Sequence, residues 1–217
     1  LIAALQPLFD SAKGDEKQWN LLVHNAGSLG CLTSRADERI SLAQLDAYYR
    51  TNVTTVMVLT SLFLQHFAPY GVQHAPTMVV NVSSLAAAQP FPYMSDYCTG
   101  KAARNMYMEC LAVDRPSVAV FNYSPGPLDT DMYTQLILEH GDEKIKAQHA
   151  ESKRSGQLID PDESARVCVS WIARFHIDTE RGNVPKALVC SVHHSGWSNV
   201  WRGPRLDYYD AVAMERR

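Results

Sequence analysis

The sequence predicts an α/β domain built on a parallel sheet, and three observations predict it. Apolar runs rich in β-branched residues recur at wide spacing: 19–23 (WNLLV), 77–82 (TMVVNV), 117–123 (SVAVFNY) and a further candidate at 186–192 (KALVCSV). Each is nearly continuous in hydrophobicity rather than alternating, as in strands buried on both faces of a parallel sheet. The stretches between them carry helix-start signals, so strands alternate with helices.

In chain order, the first stretch, LIAALQPLF, reads as helical and opens at Leu1 rather than Met. The expectation is a chain that begins partway through a domain. Ser41 and Gln44 form a candidate capping box ahead of a long helix through Phe67. Within it, Thr51 to Thr60 is dense in β-branched residues, which favour strands by propensity. The capping signal and the length of the apolar pattern assign it to helix. Positions 139–157 are polar and read as a loop with a helical turn. Asp160, Pro161 and Glu163 supply a cap, a first-turn proline and a third-position acid for a helix reaching about Phe175. No repeat or low-complexity segment interrupts the 217 residues, and one domain over 1–217 is expected.

Composition excludes several classes. A formal charge of −3 gives no electrostatic footprint for nucleic acid or an anionic membrane. No apolar run approaches the roughly 18 residues of a spanning helix, and no secretory signal is visible. Cys31, Cys98, Cys110, Cys168 and Cys190 are scattered without metal spacing and read as free thiols in a reducing compartment, the cytoplasm by default. His193 and His194 are neighbours on a candidate strand and point to opposite faces, so no metal site is expected.

The chemistry concentrates at strand ends. In 97–101 (YCTGK), Tyr97 and Lys101 stand four apart and share a helix face. A free tyrosine has a pKa of roughly 10, and a nearby cation pulls it down towards a usable acid/base. A bare Y-x-x-x-K carries little weight; its context carries more. The run 77–82 ends in Ser83 and Ser84, and Ser84 precedes Tyr97 by 13 residues. The run 117–123 passes into 125–132 (PGPLDTDM), and 21–27 (LLVHNAG) ends in a small-residue turn. Carboxyl ends of parallel strands are where open α/β sheets bind ligands.

NAG at 25–27, Asn52, Ser84, Tyr97-x-x-x-Lys101 and the PG turn at 125–126 resemble the short-chain dehydrogenase/reductase family. Within it, NAGSLG, VVNVSSLAAAQPF, YCTGKAAR, NYSPGPLDTDM and the late LDYYD are most similar to the sepiapterin reductase branch. The resemblance implies a Rossmann-like, doubly wound parallel sheet flanked by helices and lacking its first βαβ portion. It also implies NADP(H), a homodimer on the two long helices, and reduction of a carbonyl on a pterin side chain.

Residue by residue, the family implies that Tyr97 protonates the carbonyl oxygen, Lys101 lowers the Tyr97 pKa and binds the nicotinamide ribose, and Ser84 stabilises the developing alkoxide. Asn52 would hold a water in a proton relay. Asn25, Ala26 and Gly27 would meet the cofactor together with Tyr97, Lys101, Pro125 and the stretch Leu128, Asp129, Thr130, Asp131 and Met132. Ser84, Leu85, Tyr97 and Gly126 would contact substrate, and Asp207 would anchor the pterin through its 2-amino pyrimidine edge. Phe91 and Met132 are candidate substrate walls.

None of the eleven glycines forms the family's glycine-rich phosphate turn, so NADP rests on the resemblance alone. His24 stands where the family usually carries asparagine, and 176–206 is longer than the usual connection. Two alternatives stay open: reduction of other small ketones or diketones, and an inactive chain serving as an interaction module.

Overall fold

The computed structural model describes residues 19–39 and 41–180, position 7 and the pair 206–207; in the last helix, side chains are described to position 174. Strands β1 (Asn20–His24), β2 (Thr77–Val82), β3 (Ala119–Ser124) and β4 (Leu206–Asp207) form one sheet in the order β1-β2-β3-β4, every neighbour parallel. Leu22 is in register with Val79, and Val79 with Val120. All of β3 and all but the last residue of β2 are buried, as strands covered on both faces should be. β1 departs from that expectation. Leu22 packs inward while Leu21 and Val23 are 43% and 46% exposed, because among the described residues only one face of β1 is covered. Its outer edge pairs with no strand among the described residues.

Helix α1 (Leu42–Tyr49) starts as predicted, the Ser41 hydroxyl accepting the Gln44 amide. The Gln44 side chain turns to Arg39 instead of closing the box. A π-turn at Arg50–Thr54 links α1 to α2 (Thr55–Phe67). The β-branched stretch is helical because its hydroxyls are satisfied inside the helix and its apolar side chains are buried. Thr55 donates to the Arg50 carbonyl at 2.7 Å, Thr60 to the Val56 carbonyl at 2.8 Å, and Val56, Phe63 and Leu64 are buried. Helix α3 (Ser95–Asp114) follows β2, and α4 (Asp131–Glu139), α5 (Glu143–Arg154) and α6 (Pro161–Glu180) follow β3.

Alternate residues of the sheet face opposite layers. Val79, Val118 and Val120 pack with Phe63, Leu64, Met108 and Leu111 of α2 and α3. Met78, Val80, Phe121 and Tyr123 pack with Val167 and Trp171 of α6. The sheet is therefore doubly wound. Each fully buried Val or Met of these layers contributes roughly 1.5–3 kcal/mol.

Two readings need correction. Positions 139–157 are not a loop: α5 makes three turns there, started by Asp142, whose carboxylate accepts the amides of Lys144 and Ile145. No α5 residue is buried, so the apolar periodicity that betrays a helix is missing. Helix α6 is capped by Asp160 as predicted, but runs to Glu180, past Phe175. The candidate strand 186–192, His193, His194, Cys190 and most of 176–206 lie outside the described residues. Cys31, Cys98, Cys110 and Cys168 are free thiols. Among the described residues, no helix is long and apolar enough to cross a membrane.

Candidate active site

Strands β1, β2 and β3 release three chain segments at one rim. β2 ends in Ser83 and Ser84; Ser84 caps a 3-10 turn (Leu85–Ala87) by accepting the Ala86 amide at 3.2 Å. The chain then enters α3, whose first turns carry Tyr97 and Lys101. Ser84 lies near enough to Tyr97 for its hydroxyl to pull the phenol pKa down. The Lys101 ammonium lies 5.5 Å from the centre of the Tyr97 ring and donates to the Val82 carbonyl at 2.7 Å. Ser84 from the end of β2 and the Tyr97–Lys101 pair of α3 thus form one cluster.

The electrostatics differ from the expected division of labour. Burial pushes the Tyr97 phenol up, while the Ser84 hydroxyl and the Arg104 charge pull it down; burial wins and the phenol stays above its ordinary value. The predicted lowering by the lysine is not what acts here, because Lys101 is itself buried, at 7% exposure. Desolvation first, then the Arg104 charge, brings its ammonium down to about 7.

Asn52 sits in the π-turn and is 4% exposed. Its carbonyl oxygen accepts the Ser28 amide at 2.7 Å, and its amide donates to the Ser28 hydroxyl and the Tyr48 carbonyl. The side chain predicted to hold a water is thus used to brace the turn after β1. Turns of this wide-ring type are frequent at functional sites. Asn25 and Ala26 are exposed on that turn, and a Cβ on Gly27 would come within 3.2 Å of Asn52. Arg104, which sequence reasoning missed, lies beneath it: its guanidinium, 1% exposed, donates to the carbonyls of His24 (2.8 Å) and Ala26 (3.1 Å) and to Asn81 (2.8 Å). A lone arginine on a helix reads as solvated, so its sequence offered no signal.

Beyond β3, Gly126 takes φ +80°, a conformation that favours glycine, and turns the chain outward. Pro125 and Leu128 are half-buried, and Asp129 pairs with Lys153 of α5 at 2.9 Å. The Thr130 hydroxyl caps α4 ahead of Asp131. Met132 and Phe91 pack with Tyr97 around Leu29, Leu32 and Met94, whereas Leu85 is 47% exposed. Asp207 stands in β4 opposite Ser124, at the same rim.

The short chain dehydrogenase family model matches residues 3–140. The chain belongs to the short-chain dehydrogenase family. Among relatives in this family, sepiapterin reductase of Bos taurus is 42% identical over 166 residues, covering 76% of this chain and 61% of that protein. Sepiapterin reductase of Meriones unguiculatus is 40% identical over 171 residues, 78% of this chain and 64% of that protein. The chain thus spans about three-fifths of these relatives' length. Benzil reductase ((S)-benzoin forming) of Bacillus subtilis is 30% identical over 187 residues, 82% of this chain and 72% of that protein. Two solved structures share the fold. The KRED1-Pglu enzyme matches with TM-score 0.66 at 22% identity, covering 76% of this chain and 67% of that one. A 3-oxoacyl-[acyl-carrier protein] reductase from Brucella melitensis in complex with NAD matches with TM-score 0.61 at 20% identity, covering 78% and 64%.

Proposed function

We propose that this chain carries the catalytic part of an NADP-dependent carbonyl reductase acting on a pterin side chain, as its relatives named sepiapterin reductase suggest. The observation that carries it is the cluster of Ser84, Tyr97 and Lys101 at the rim, in a chain 42% identical to a sepiapterin reductase.

The residues suit the nicotinamide end of the cofactor. An ammonium has three donors, and Val82 takes the single Lys101 bond recorded among the described residues. Asn25 and Ala26 lie open on the turn after β1, and Gly126 brings bare backbone to the rim. The cofactor, when bound, supplies the hydride. Tyr97 donates its phenolic proton to the substrate carbonyl oxygen, and Ser84 donates a hydrogen bond to the same oxygen as charge develops there. Lys101 holds the nicotinamide ribose and steadies Tyr97; Asn52 positions the turn and serves the proton relay. Backbone from Pro125 and Leu128 to Met132 lines the cofactor, and Leu85, Gly126 and Asp207 contact the pterin, Asp207 through paired hydrogen bonds to its amino-pyrimidine edge.

A second reading, reduction of small diketones, is favoured by the 30% identity to a benzil reductase over 82% of the chain. NADPH consumption with sepiapterin and with benzil, in wild type and Asp207→Asn, separates the two. Loss on sepiapterin alone supports the pterin; equal activity supports the general reductase. No turnover with either, in a protein whose Tyr97→Phe variant behaves identically, makes the chain an inactive module. NADH in parallel tests the NADP assignment. Met57, Val58, Met106 and Val113 are exposed on α2 and α3, which supports a homodimer on those helices, read by light scattering on the purified protein; the scattered free thiols suit the cytoplasm.

A further inference from the structure

Arg104 is buried with its helix neighbour Lys101, and no carboxylate is recorded among its partners in the described residues. Burying a guanidinium is strongly unfavourable unless hydrogen bonds satisfy it. Here three neutral oxygens do so, from the His24 and Ala26 carbonyls and the Asn81 side chain. The first of these ends β1 and the second belongs to the turn after it. The third starts a chain of amides. Because the Asn81 oxygen accepts from Arg104, its amide must donate, and it does so to Asn122 (2.8 Å) and Asn105 (3.2 Å). The Asn105 oxygen also accepts from the Ser83 hydroxyl at 2.7 Å, one residue before Ser84. One side chain therefore joins β1, β2, β3 and the helix that carries Tyr97.

We infer that Arg104 is the positioning residue of this site: through its charged guanidinium it locks the chain from His24 to Gly27 and the end of β2 against the helix bearing Tyr97 and Lys101. A guanidinium does not deprotonate in proteins, so this charge persists at every working pH. Besides burial, the Ser84 hydroxyl, Arg104 and Cys98 act on the Tyr97 phenol; Lys101 also faces its ring, as does Tyr48 from α1, which in turn faces Asp96 and Tyr49. Arg104 faces Tyr97, Tyr48, Lys101 and, across the turn, His24. Removing the charge takes away a pull that lowers the Tyr97 pKa, so the tyrosine should titrate higher.

The kinetic consequences rest on the carbonyl reductase proposed above, so the first readout avoids turnover. The intact protein is titrated by ultraviolet absorbance, and Tyr97 is isolated by subtracting the same curve for its Tyr97→Phe form. Arg104→Gln raises the Tyr97 midpoint, whereas Arg104→Lys, which keeps a charge, leaves it near wild type. In turnover, both variants lose about tenfold or more in kcat/KM for the cofactor, because neither side chain spans three acceptors. If Arg104→Gln fails to fold, Asn81→Asp decides: a carboxylate beside the guanidinium cancels its field and also raises the midpoint. An unchanged Tyr97 midpoint in the folded charge-cancelling variant overturns the inference. Wild-type protein that reduces no carbonyl sinks the proposed function, yet leaves the titration to judge Arg104.

Discussion

The Lys101 ammonium donates to the Val82 carbonyl at 2.7 Å, two residues before Ser84, so the lysine of α3 is anchored to the strand that delivers the serine. Burial and the Arg104 charge leave this ammonium titrating at about 7. Below that pH Lys101 is charged; in the role proposed above, a neutral amine at higher pH would hold ribose and tyrosine less well. kcat/KM for the cofactor reads ionisations of the free enzyme. It is expected to fall as pH rises through about 7. Lys101→Arg, whose charge does not titrate, should lose that limb while running slower. A wild-type profile flat from about pH 6 to 8.5, or a limb that persists in Lys101→Arg, contradicts this account.

His24 is buried against Thr60, its ring nitrogen 2.7 Å from the hydroxyl, and desolvation with the Arg104 charge lowers it to about 4. The unfolded chain takes up a proton near pH 6.5, before the folded one does. Stability from this group is therefore complete above about 6.5 and is lost as pH falls through about 4, a total of about 3 kcal/mol. Urea unfolding at pH 7 and pH 5 should differ by roughly 2 kcal/mol more in wild type than in His24→Gln, which keeps a polar partner for Thr60. Equal pH dependence in the two proteins would mean that the imidazole titrates normally in the fold.

Asp96 precedes Tyr97 and is 4% exposed. Arg39 donates to both its oxygens, at 3.0 and 3.3 Å, and the Cys31 amide donates at 3.2 Å. Removing one partner of a buried pair leaves a charge uncompensated, at a cost of roughly 3–5 kcal/mol. Asp96→Asn is expected to lose stability near the lower end, since its amide oxygen still accepts a bond and Arg39 keeps 11% side-chain exposure. Thermal unfolding reads the loss; a variant within about 0.5 kcal/mol of wild type marks the bridge as unimportant.

The strands and capped helices were legible because their signals are local: continuous apolar runs at 77–82 and 117–123, and the side chains of Ser41 and Asp160 accepting amides in the turn that follows. So was the grouping of Ser84, Tyr97 and Lys101, since parallel strands deliver their ends to one rim. What escaped depends on long-range burial. Helix α5 is held by its Asp142 cap and by surface pairs such as Lys146–Glu143, with no apolar stripe to disclose it. Arg104 is buried only because three chain segments converge on it, and nothing within its helix foretells that. The half-covered face of β1 likewise follows from which layers pack on it, not from its own five residues.

Gly100 shows the same limit inside α3, where Cys98, Thr99 and Gly100 read as spacers between Tyr97 and Lys101. A Cβ at position 100 would lie 2.6 Å from the Tyr48 phenol oxygen and 2.9 Å from its ring. Tyr48 cannot step aside freely: it is 7% exposed, its ring meets Tyr49 edge-on at 5.4 Å, and its carbonyl accepts from Asn52. The glycine is what lets α1 approach α3. Overpacking of this kind destabilises by about 1–3 kcal/mol, so Gly100→Ala should lower Tm by several degrees. Because Tyr48 also holds Asn52, the displacement should reach the turn after β1 and raise KM for the cofactor more than it lowers kcat. Wild-type stability and kinetics in Gly100→Ala would show that the two helices do not pack this closely.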